Sequence, residues 1–404
     1  MTYNVYQPWD TLKVCVVGRS YPPEFYEFMD NPRLKELFQQ IARETEEDFQ
    51  GIISKLEEFG VDVVRPTCPV VQVDEYITEN KRIPGPISMT PRDQMIMIGT
   101  NFFVFPPDHI AKKASGRIRT SVLTREIYEM IKGDGWPQEW ATIENLPKWV
   151  RDEINTKFPH FNDYKSLSDI TAKFPWWSPI IDRVKQQGNT VIENQHHDKL
   201  NLISANGITR IGRDMYFGAS HDGWSDKLAD IETEFFQDYR CHYVTTGGHI
   251  DGCFCPVTPG LIVSIDEIKT YETTFPGWEV VYLEGESWGK VAEFSALKMK
   301  NQGRWWIKGH ENDDELIQYV ETWLNDWVGY CEESVFDVNI LVIDKKNIIV
   351  SGYNETAFEA FARHGVTAHI CPFRHRYFWD GGIHCVTLDL HREGTMEDYF
   401  PERG

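Results

Sequence analysis

Residues 338–373, VNILVIDKKNIIVSGYNETAFEAFARHGVTAHICPF, carry the clearest information about the fold. Apolar runs at 338–344 and 347–352 flank a polar Lys-Lys pair, which predicts an antiparallel hairpin. The segment 355–364 has helical apolar spacing and is followed by glycine, a common helix terminator. Another apolar run, 366–373, predicts a third strand. The predicted order is therefore strand, strand, helix, strand.

The same order recurs elsewhere in the chain. Strands predicted at Ile208–Ile211 and Met215–Gly218 precede a helix near Asp226–Tyr239 and strands at His242–Thr246 and Ile250–Pro256. This recurrence predicts an α/β fold with pseudo-symmetric repetition around a centre. A doubly wound sheet is the alternative. The other predicted elements are a strand at Leu12–Gly18, a helix at Pro32–Phe59, a strand at Val61–Pro66, a partial copy of the unit near residues 94–132 with a helix at Ser121–Lys132, and a strand at Gly382–Leu390.

Composition narrows the functional class. The 404 residues include 62 Asp and Glu against 41 Lys and Arg, a net charge of −21 that argues against a nucleic-acid partner. No apolar run approaches the length of a membrane span, and the first residues lack the features of a signal peptide. Eight cysteines without an export signal indicate reduced thiols. We expect a cytoplasmic protein that does not bind membranes.

Residues 1–404 are expected to form a single domain. Residues 134–195 contain GWPQEW and KFPWWSP and are too aromatic for a flexible linker. They are predicted to form an irregular insertion or cover.

The stretch GGHIDGCFC, 247–255, is the first candidate for chemistry. If it is a strand, His249, Asp251, Cys253 and Cys255 lie on one face, where an imidazole and a carboxylate could act as acid and base. Zinc binding by the two cysteines and the histidine is a weaker interpretation, because no second thiolate pair follows at the usual spacing. A structural role for His249 and a core position for both cysteines are the alternatives.

The stretch WDGGIHCVTLDL, 379–390, is the second candidate for chemistry. Gly381-Gly382 allows a ligand to approach the backbone closely. Cys385 lies at the predicted strand opening, and His384 should then point to the opposite face. A base for Cys385 is therefore expected from elsewhere in the chain, and a buried core thiol is the alternative.

Three shorter stretches also contain candidate residues. In MTPRDQMIM, Asp93 could bind a guanidinium through both carboxylate oxygens. Alternatively, it could only stabilise the turn and form an exposed ion pair. In IGRDMYFG, Asp214 follows Gly212-Arg213, where an Arg–Asp pair could be purely structural. GESWG, 285–289, fits the nucleophile elbow of α/β-hydrolases around Ser287, with a surface turn as the alternative. No glycine-rich nucleotide-binding pattern is present.

Taken in order, several stretches resemble the amidinotransferase family, which includes the glycine, inosamine-phosphate and toxin-pathway enzymes. They are QPWDTLKVCVVGR, TPRD, GRDMYFG, GHID, TPGLIVS, NILVID and GGIHCVTLDLHREGT. The resemblance covers most of the chain and is weak at 134–195 and 268–335. It implies a pentein fold, a five-bladed α/β propeller of ββαβ modules around a central site.

The resemblance also implies an activity. Such enzymes move an amidino group from arginine to an acceptor amine through a cysteine-bound intermediate, without a cofactor or metal. Both substrates are small molecules, and a homodimer is compatible with the resemblance. A guanidine hydrolase of the deiminase kind, a Ser287-dependent hydrolase and a non-catalytic binder of a cationic small molecule are the alternatives.

The resemblance assigns roles to particular residues. Cys385 matches the nucleophile and His249 the general acid and base. Asp251 and Asp93 match carboxylates that bind the substrate. Further candidate substrate-binding residues are Asp214, Gly248 and Asn339.

Two positions depart from the family. An acidic residue usually precedes the GRD element by about ten positions, and Ser204 occupies that place here, in LISANGITRIGRD. Ser204 can form hydrogen bonds but cannot neutralise a cation; Asp198 could replace the missing carboxylate only if the backbone runs differently. Thr-Gly-Gly precedes His249 where the glycine-specific enzymes have a bulkier residue, which predicts a roomier acceptor pocket.

Overall fold

The computed structural model describes residues 2–68, 87–105, 117–119, 140–142, 148, 151–152, 176–193, 203–219, 225–246, 249–265, 270–283, 289–290, 292, 307, 309–310, 312–316, 319 and 335–404. These residues form a mixed α/β fold. Among them, no helix combines the length and the apolar content that a membrane crossing requires.

Short strands alternate with helices along the chain. The strands are β1 (Thr11–Val17), β2 (Asp62–Val64), β3 (Met95–Ile98), β4 (Asn101–Val104), β5 (Arg117–Arg119), β6 (Trp140–Thr142), β7 (Thr190–Glu193), β8 (Ile208–Ile211), β9 (Asp214–Ala219), β10 (Arg240–Thr245), β11 (Phe254–Thr258), β12 (Leu261–Ser264), β13 (Glu279–Tyr282), β14 (Leu341–Asp344), β15 (Asn347–Val350), β16 (Thr367–Ile370) and β17 (Thr387–Glu393). The α-helices are α1 (Pro32–Glu58), α2 (Pro91–Gln94), α3 (Ser178–Gln186), α4 (Ser225–Phe235), α5 (Ile250–Cys253), α6 (Tyr271–Thr274), α7 (Glu355–Arg363) and α8 (Arg376–Trp379).

The predicted unit is confirmed at 341–370. β14 and β15 are antiparallel, and α7 returns the chain so that β16 pairs parallel to β15. Asn354 starts α7 by accepting a hydrogen bond from the backbone N–H of Ala357 at 3.0 Å. Gly365, at φ +69°, ends it in the left-handed conformation that glycine adopts at low cost.

The pairing of this unit recurs in four other three-stranded sheets. In each sheet the middle strand has one antiparallel and one parallel neighbour. The strand orders are β3–β4–β7, β8–β9–β10, β11–β12–β13, β14–β15–β16 and β17–β1–β2. The described residues therefore contain five copies of the unit, more than the sequence pattern revealed.

The last strand of the chain belongs to the same sheet as the first. β17 pairs antiparallel with β1, from Thr11 opposite Glu393 to Val17 opposite Thr387. The crossover from β1 to β2 is α1, whose N-cap Asn31 accepts from the N–H groups of residues 33 and 34. Both ends of the chain are thereby held in one sheet.

Buried charged side chains link strands of different sheets. Arg210 on β8 donates to the Met97 carbonyl at 2.6 Å and to Asp389 Oδ2 at 2.7 Å. Arg392 donates to the same Asp389 oxygen at 2.7 Å and to the Val342 carbonyl at 2.8 Å. Burial alone would raise the pKa of Asp389, but the two guanidiniums hold it well below its usual range.

Three local predictions need correction. Residues 250–253 form the short helix α5, and only Phe254–Thr258 is a strand. The last strand begins at Thr387 rather than at Gly382. The end of the predicted insertion is regular, since α3 lies at 178–186 and β7 pairs with β4. The predicted helix at 121–132 and the GESWG stretch around Ser287 lie outside the described residues.

Candidate active site

Cys385 lies in a tight turn immediately before β17. Residues 383–386 form this turn, closed by hydrogen bonds from the Val386 N–H to the Gly382 carbonyl and from the Thr387 N–H to the His384 carbonyl, each 3.2 Å. The alternation of side chains along a strand therefore does not apply to His384 and Cys385, and the prediction that they point to opposite faces was wrong. The Cys385 side chain is buried, at 1% exposure.

Asn339 holds this turn in place. Its Oδ1 accepts from the backbone N–H groups of His384 and Cys385, at 2.7 and 3.1 Å. Its Nδ2 lies 3.1 Å from Cys385 Sγ and 3.3 Å from the Asp251 carbonyl oxygen. A buried amide that donates to a sulfur atom stabilises the negative charge of a thiolate.

The reason for a glycine at 382 is the close approach of Asn339. A Cβ atom at this position would lie 2.5 Å from Asn339 Oδ1 and 2.6 Å from its Cγ. The glycine therefore accommodates a side chain of the protein, rather than the ligand that the sequence suggested.

Substituting Gly382 should destabilise the turn that contains Cys385. We expect Gly382→Ala to lower the free energy of unfolding by about 1–3 kcal/mol, because the added methyl group overlaps a fixed, hydrogen-bonded amide. Gly352→Ala is the matched control, since a Cβ atom there meets nothing within 4 Å. Urea unfolding of both variants measures the difference; equal stabilities would contradict this account of the turn.

Asp251 connects Cys385 to an imidazole. Its Oδ2 accepts from His384 Nδ1 at 2.8 Å and lies 3.8 Å from Cys385 Sγ. Because α5 replaces the predicted strand, the two-residue periodicity does not bring Asp251 to this place. It lies instead in the first turn of a short helix packed beside Asn339.

The charges around Asp251 favour its ionised form. Burial would raise the pKa of Asp251, but the hydrogen bond from His384 and the positive charge of Arg92 lower it below its usual value. Burial lowers the pKa of His384, whose Nδ1 is held by the Asp251 carboxylate. The site therefore contains a carboxylate next to the sulfur, an arrangement that suits a cationic ligand.

Arg92 lies behind this carboxylate. Its guanidinium donates to the carbonyls of Ala205 and Ile208, at 2.7 Å each, and its backbone N–H lies 3.4 Å from the Cys385 carbonyl oxygen. Arg92 Nε and Asp251 Oδ1 are buried and have no hydrogen-bond partner among the described residues. Both residues line a partly open pocket of about 30 Å³, which has room for a water molecule or two.

His249 precedes α5 and contacts the segment that carries Ser204. Its Nε2 lies 2.9 Å from Asn206 Nδ2, and Ser204 Oγ donates to Asn206 Oδ1 at 2.6 Å. The positive charge of a protonated His249 lowers the pKa of Asp251, so the two groups interact. The structure thus connects Ser204 to His249 through an amide.

The remaining predicted residues are distributed as follows. Asp93 follows Arg92 in α2, beside the Cys385 turn. Asp214 has other partners: its carboxylate is bonded by Arg240, His242 and Arg403. We therefore correct its expected place in the site and assign it to a structural ion cluster. Gly247, Gly248 and Asp198 lie outside the described residues.

The neighbouring thiols are also buried. Cys253 and Cys255 are buried, and burial with the nearby Asp251 charge raises the pKa of Cys255 to about 12. In the ranges that the structure describes, no three potential metal ligands come together.

Three residues of this site are not predicted by the sequence pattern. A strand at Gly382–Leu390 would direct His384 away from Cys385, whereas the observed turn brings both side chains to Asp251. Asn206 and Arg92 carry no local signal, because burial of a polar or charged side chain is decided by tertiary packing.

Curated proteins that are similar in sequence to this chain include amidinotransferases. The L-arginine:L-lysine amidinotransferase of Pseudomonas savastanoi pv. phaseolicola is 21% identical over 98% of this chain and 96% of its own length. The mitochondrial glycine amidinotransferase of Gallus gallus is 23% identical over 98% of this chain and 84% of its own length. No family model matches the chain.

Solved structures agree on the fold. The amidinotransferase of the saxitoxin biosynthetic pathway from Microseira wollei covers 99% of this chain and 100% of its own, with a TM-score of 0.56 and 16% identity. The inosamine-phosphate amidinotransferase of Streptomyces griseus covers 98% and 99%, with a TM-score of 0.57 and 15% identity. The resemblance to amidinotransferases, which are transferase enzymes, is therefore confirmed.

Proposed function

We propose that this protein transfers the amidino group of arginine to an acceptor amine through a covalent amidino-Cys385 intermediate. The observation that supports this most is the shared contact at Asp251 Oδ2, which lies beside both the Cys385 sulfur and the His384 imidazole. A nucleophilic sulfur beside a buried carboxylate fits an electrophile that is itself a cation. The guanidinium of arginine has that chemistry.

The first half-reaction breaks a carbon–nitrogen bond of arginine. The Cys385 thiolate attacks the guanidinium carbon, and a protonated His249 donates its proton to the nitrogen that leaves as the ornithine amine. The products are ornithine, a cationic amidino group bound through sulfur, and neutral His249. Charge and protons balance without an external reagent.

The second half-reaction restores the enzyme. A neutral amine attacks the amidino carbon and loses one proton to His249, and the carbon–sulfur bond breaks. The thiolate and the protonated imidazole are regenerated. No metal or cofactor is needed for this addition and elimination, and we propose that none takes part.

In the proposed mechanism, two carboxylates orient the guanidinium group of the substrate. Asp251 and Asp93 are proposed to hold the planar cation so that its carbon faces Cys385. Asn339 holds the sulfur and stabilises its negative charge. Ser204 supports His249 through Asn206, in the place where a carboxylate is usual.

We further propose that the five sheets form the blades of a five-bladed propeller. Three facts support it: the sheets share one strand order, β1 pairs with β17, and Arg210 and Arg392 join strands of different sheets. The free cysteines among the described residues support a reducing compartment such as the cytoplasm.

The product distinguishes transfer from hydrolysis. We expect the purified protein to release ornithine from arginine only when a suitable amine, such as glycine or lysine, is supplied. Chromatography of the products, with arginine labelled at its guanidino carbon, follows the label into the new guanidine. Labelled citrulline formed without an amine would show that water is the acceptor and would overturn the proposal. Failure of every amine tested, with no covalent adduct on Cys385, would favour a non-catalytic binder.

A further inference from the structure

Arg92 is bonded to two separate parts of the candidate site. Its backbone N–H donates to the Cys385 carbonyl at 3.4 Å, so α2 is bonded to the turn that carries the sulfur. Its side chain, at 2% exposure, donates from its two terminal nitrogens to the Ala205 and Ile208 carbonyls, at 2.7 Å each. One residue therefore joins the backbone of the proposed nucleophile to a segment that lies far from it along the chain.

The segment that Arg92 binds contacts the proposed acid and base. Residues 205–207 form a single turn of 3₁₀ helix before β8, and α2 packs against this turn. Asn206 lies at the centre of the turn, is 1% exposed, and has its Nδ2 2.9 Å from His249 Nε2. A single 3₁₀ turn has few hydrogen bonds of its own, so its position depends on the two bonds from the arginine.

The guanidinium group is suited to holding such a turn. It is planar and its donors are fixed in one plane, so two carbonyls bonded to it keep a set separation and direction. These carbonyls belong to Ala205 and Ile208, on either side of Asn206, and both hydrogen bonds are buried. The turn between them cannot move without breaking a buried hydrogen bond, which leaves a polar group unsatisfied and is costly.

We propose that Arg92 is a positioning residue that sets the place of the His249 imidazole relative to the Cys385 sulfur; this inference rests on the proposed function. The backbone of Arg92 is bonded to the Cys385 turn, its side chain holds the turn around Asn206, and the Asn206 amide contacts the imidazole. Proton transfer to the departing amine requires an imidazole within hydrogen-bond reach of a nitrogen that is itself beside the sulfur. A small displacement of the ring therefore lowers kcat.

Arg392 provides a matched control. Its side chain is also 2% exposed, and it donates to two backbone carbonyls, those of Asp10 and Val342, at 2.8 Å each. Substitution by lysine keeps the positive charge of either arginine, but a single ammonium replaces the planar fork that binds two carbonyls. Arg92→Lys and Arg392→Lys therefore lose similar buried hydrogen bonds, the first in the candidate site and the second between other segments.

Nitrogen NMR of the full-length protein tests the geometry without arginine. With ¹⁵N-labelled histidine, and His249→Gln to identify the signals, we expect Arg92→Lys to shift the ring-nitrogen signals of His249, as Asn206→Ala should. Arg392→Lys should leave these signals in place, and those of His364, whose ring contacts a carboxylate elsewhere, should not change in any variant. His249 signals that stay unchanged in Arg92→Lys would overturn the proposal. Because no turnover is involved, this result is separate from the fate of the proposed reaction.

Kinetics tests the consequence for catalysis. We expect Arg92→Lys to lower kcat about 10–100-fold with less than about a threefold change in the KM for arginine, because lysine keeps the positive charge that acts on Asp251. Arg392→Lys should keep the kcat of the wild type, although urea unfolding should show that both variants are destabilised. An unchanged kcat in Arg92→Lys, or an equal loss in Arg392→Lys, would contradict the proposal.

A double-mutant cycle shows whether Arg92 acts through Asn206. Asn206→Ala keeps the arginine and removes only the amide, so it tests this route even if Arg92→Lys fails to fold, and we expect its kcat to fall as well. Adding Arg92→Lys to it should cause little further loss, because the contact that the arginine positions is already gone. An unchanged kcat in Asn206→Ala, or losses that multiply in the double variant, would show that Arg92 does not act through this amide.

Discussion

Cys385→Ala is expected to abolish turnover of arginine, lowering kcat by more than about 10³-fold, because the variant has no atom that can carry the amidino group. It should also form no adduct, whereas the wild type mixed with arginine should gain the mass of one amidino group. Intact-mass spectrometry and ornithine assays measure the two effects.

Cys371→Ala provides the matched control. Cys371 is likewise a buried thiol, at 5% exposure, and it directly follows β16 in another sheet, where its backbone N–H donates to the Val350 carbonyl. We expect this variant to keep both the adduct and the activity. An adduct that persisted in Cys385→Ala would show that another residue is the nucleophile.

The second large effect concerns stability. Asp389→Asn removes the negative charge between Arg210 and Arg392, and all three side chains are at most 6% exposed. Two buried guanidiniums would then be left without a counter-charge, and we expect a loss of about 3–5 kcal/mol. Urea or thermal unfolding measures it. Glu315→Gln, which breaks an ion pair with Arg33 at the surface, should cost about 1 kcal/mol or less.

The effect of Asp389 should also depend on pH. Its folded pKa is lowered, so its contribution is complete above the unfolded pKa of about 3.9 and is lost as the pH falls towards the folded value. The stability difference between wild type and Asp389→Asn should therefore narrow below about pH 4. A difference that stays constant from pH 7 to pH 3 would show that charge is not the cause.

Local patterns predicted the repeating unit well. The hairpin across Lys345-Lys346 and the helix ended by Gly365 follow from apolar runs, turn residues and a glycine C-cap, all of which act within a few residues. These forces operate in the same way in each of the five sheets. The unit near residue 94 is predicted only in part, because its third strand, β7, lies far along the chain from β4.

The candidate site was predicted less completely. Cys385, Asp251 and His249 are candidates from local sequence and take their expected roles from the resemblance, but their local conformation was not predicted. The stretch around Asp251 is flanked by apolar residues that suit a strand, but it forms a short helix that packs against the segments preceding Asn339 and Ile208. The contact between Asn206 and His249 joins positions 43 apart, which no local pattern reports. The local conformation of the site therefore depends on tertiary contacts and not on residue propensity alone.

The union of the two chain ends in one sheet has a consequence for biosynthesis. Strand β17 follows β1 and every other described strand along the chain, so the sheet that contains both strands cannot form before translation has passed Glu393. Cys385 directly precedes β17, and its sulfur contacts Asn339 and Asp251 from distant parts of the chain. We therefore expect the proposed nucleophile to gain these partners only when this sheet closes.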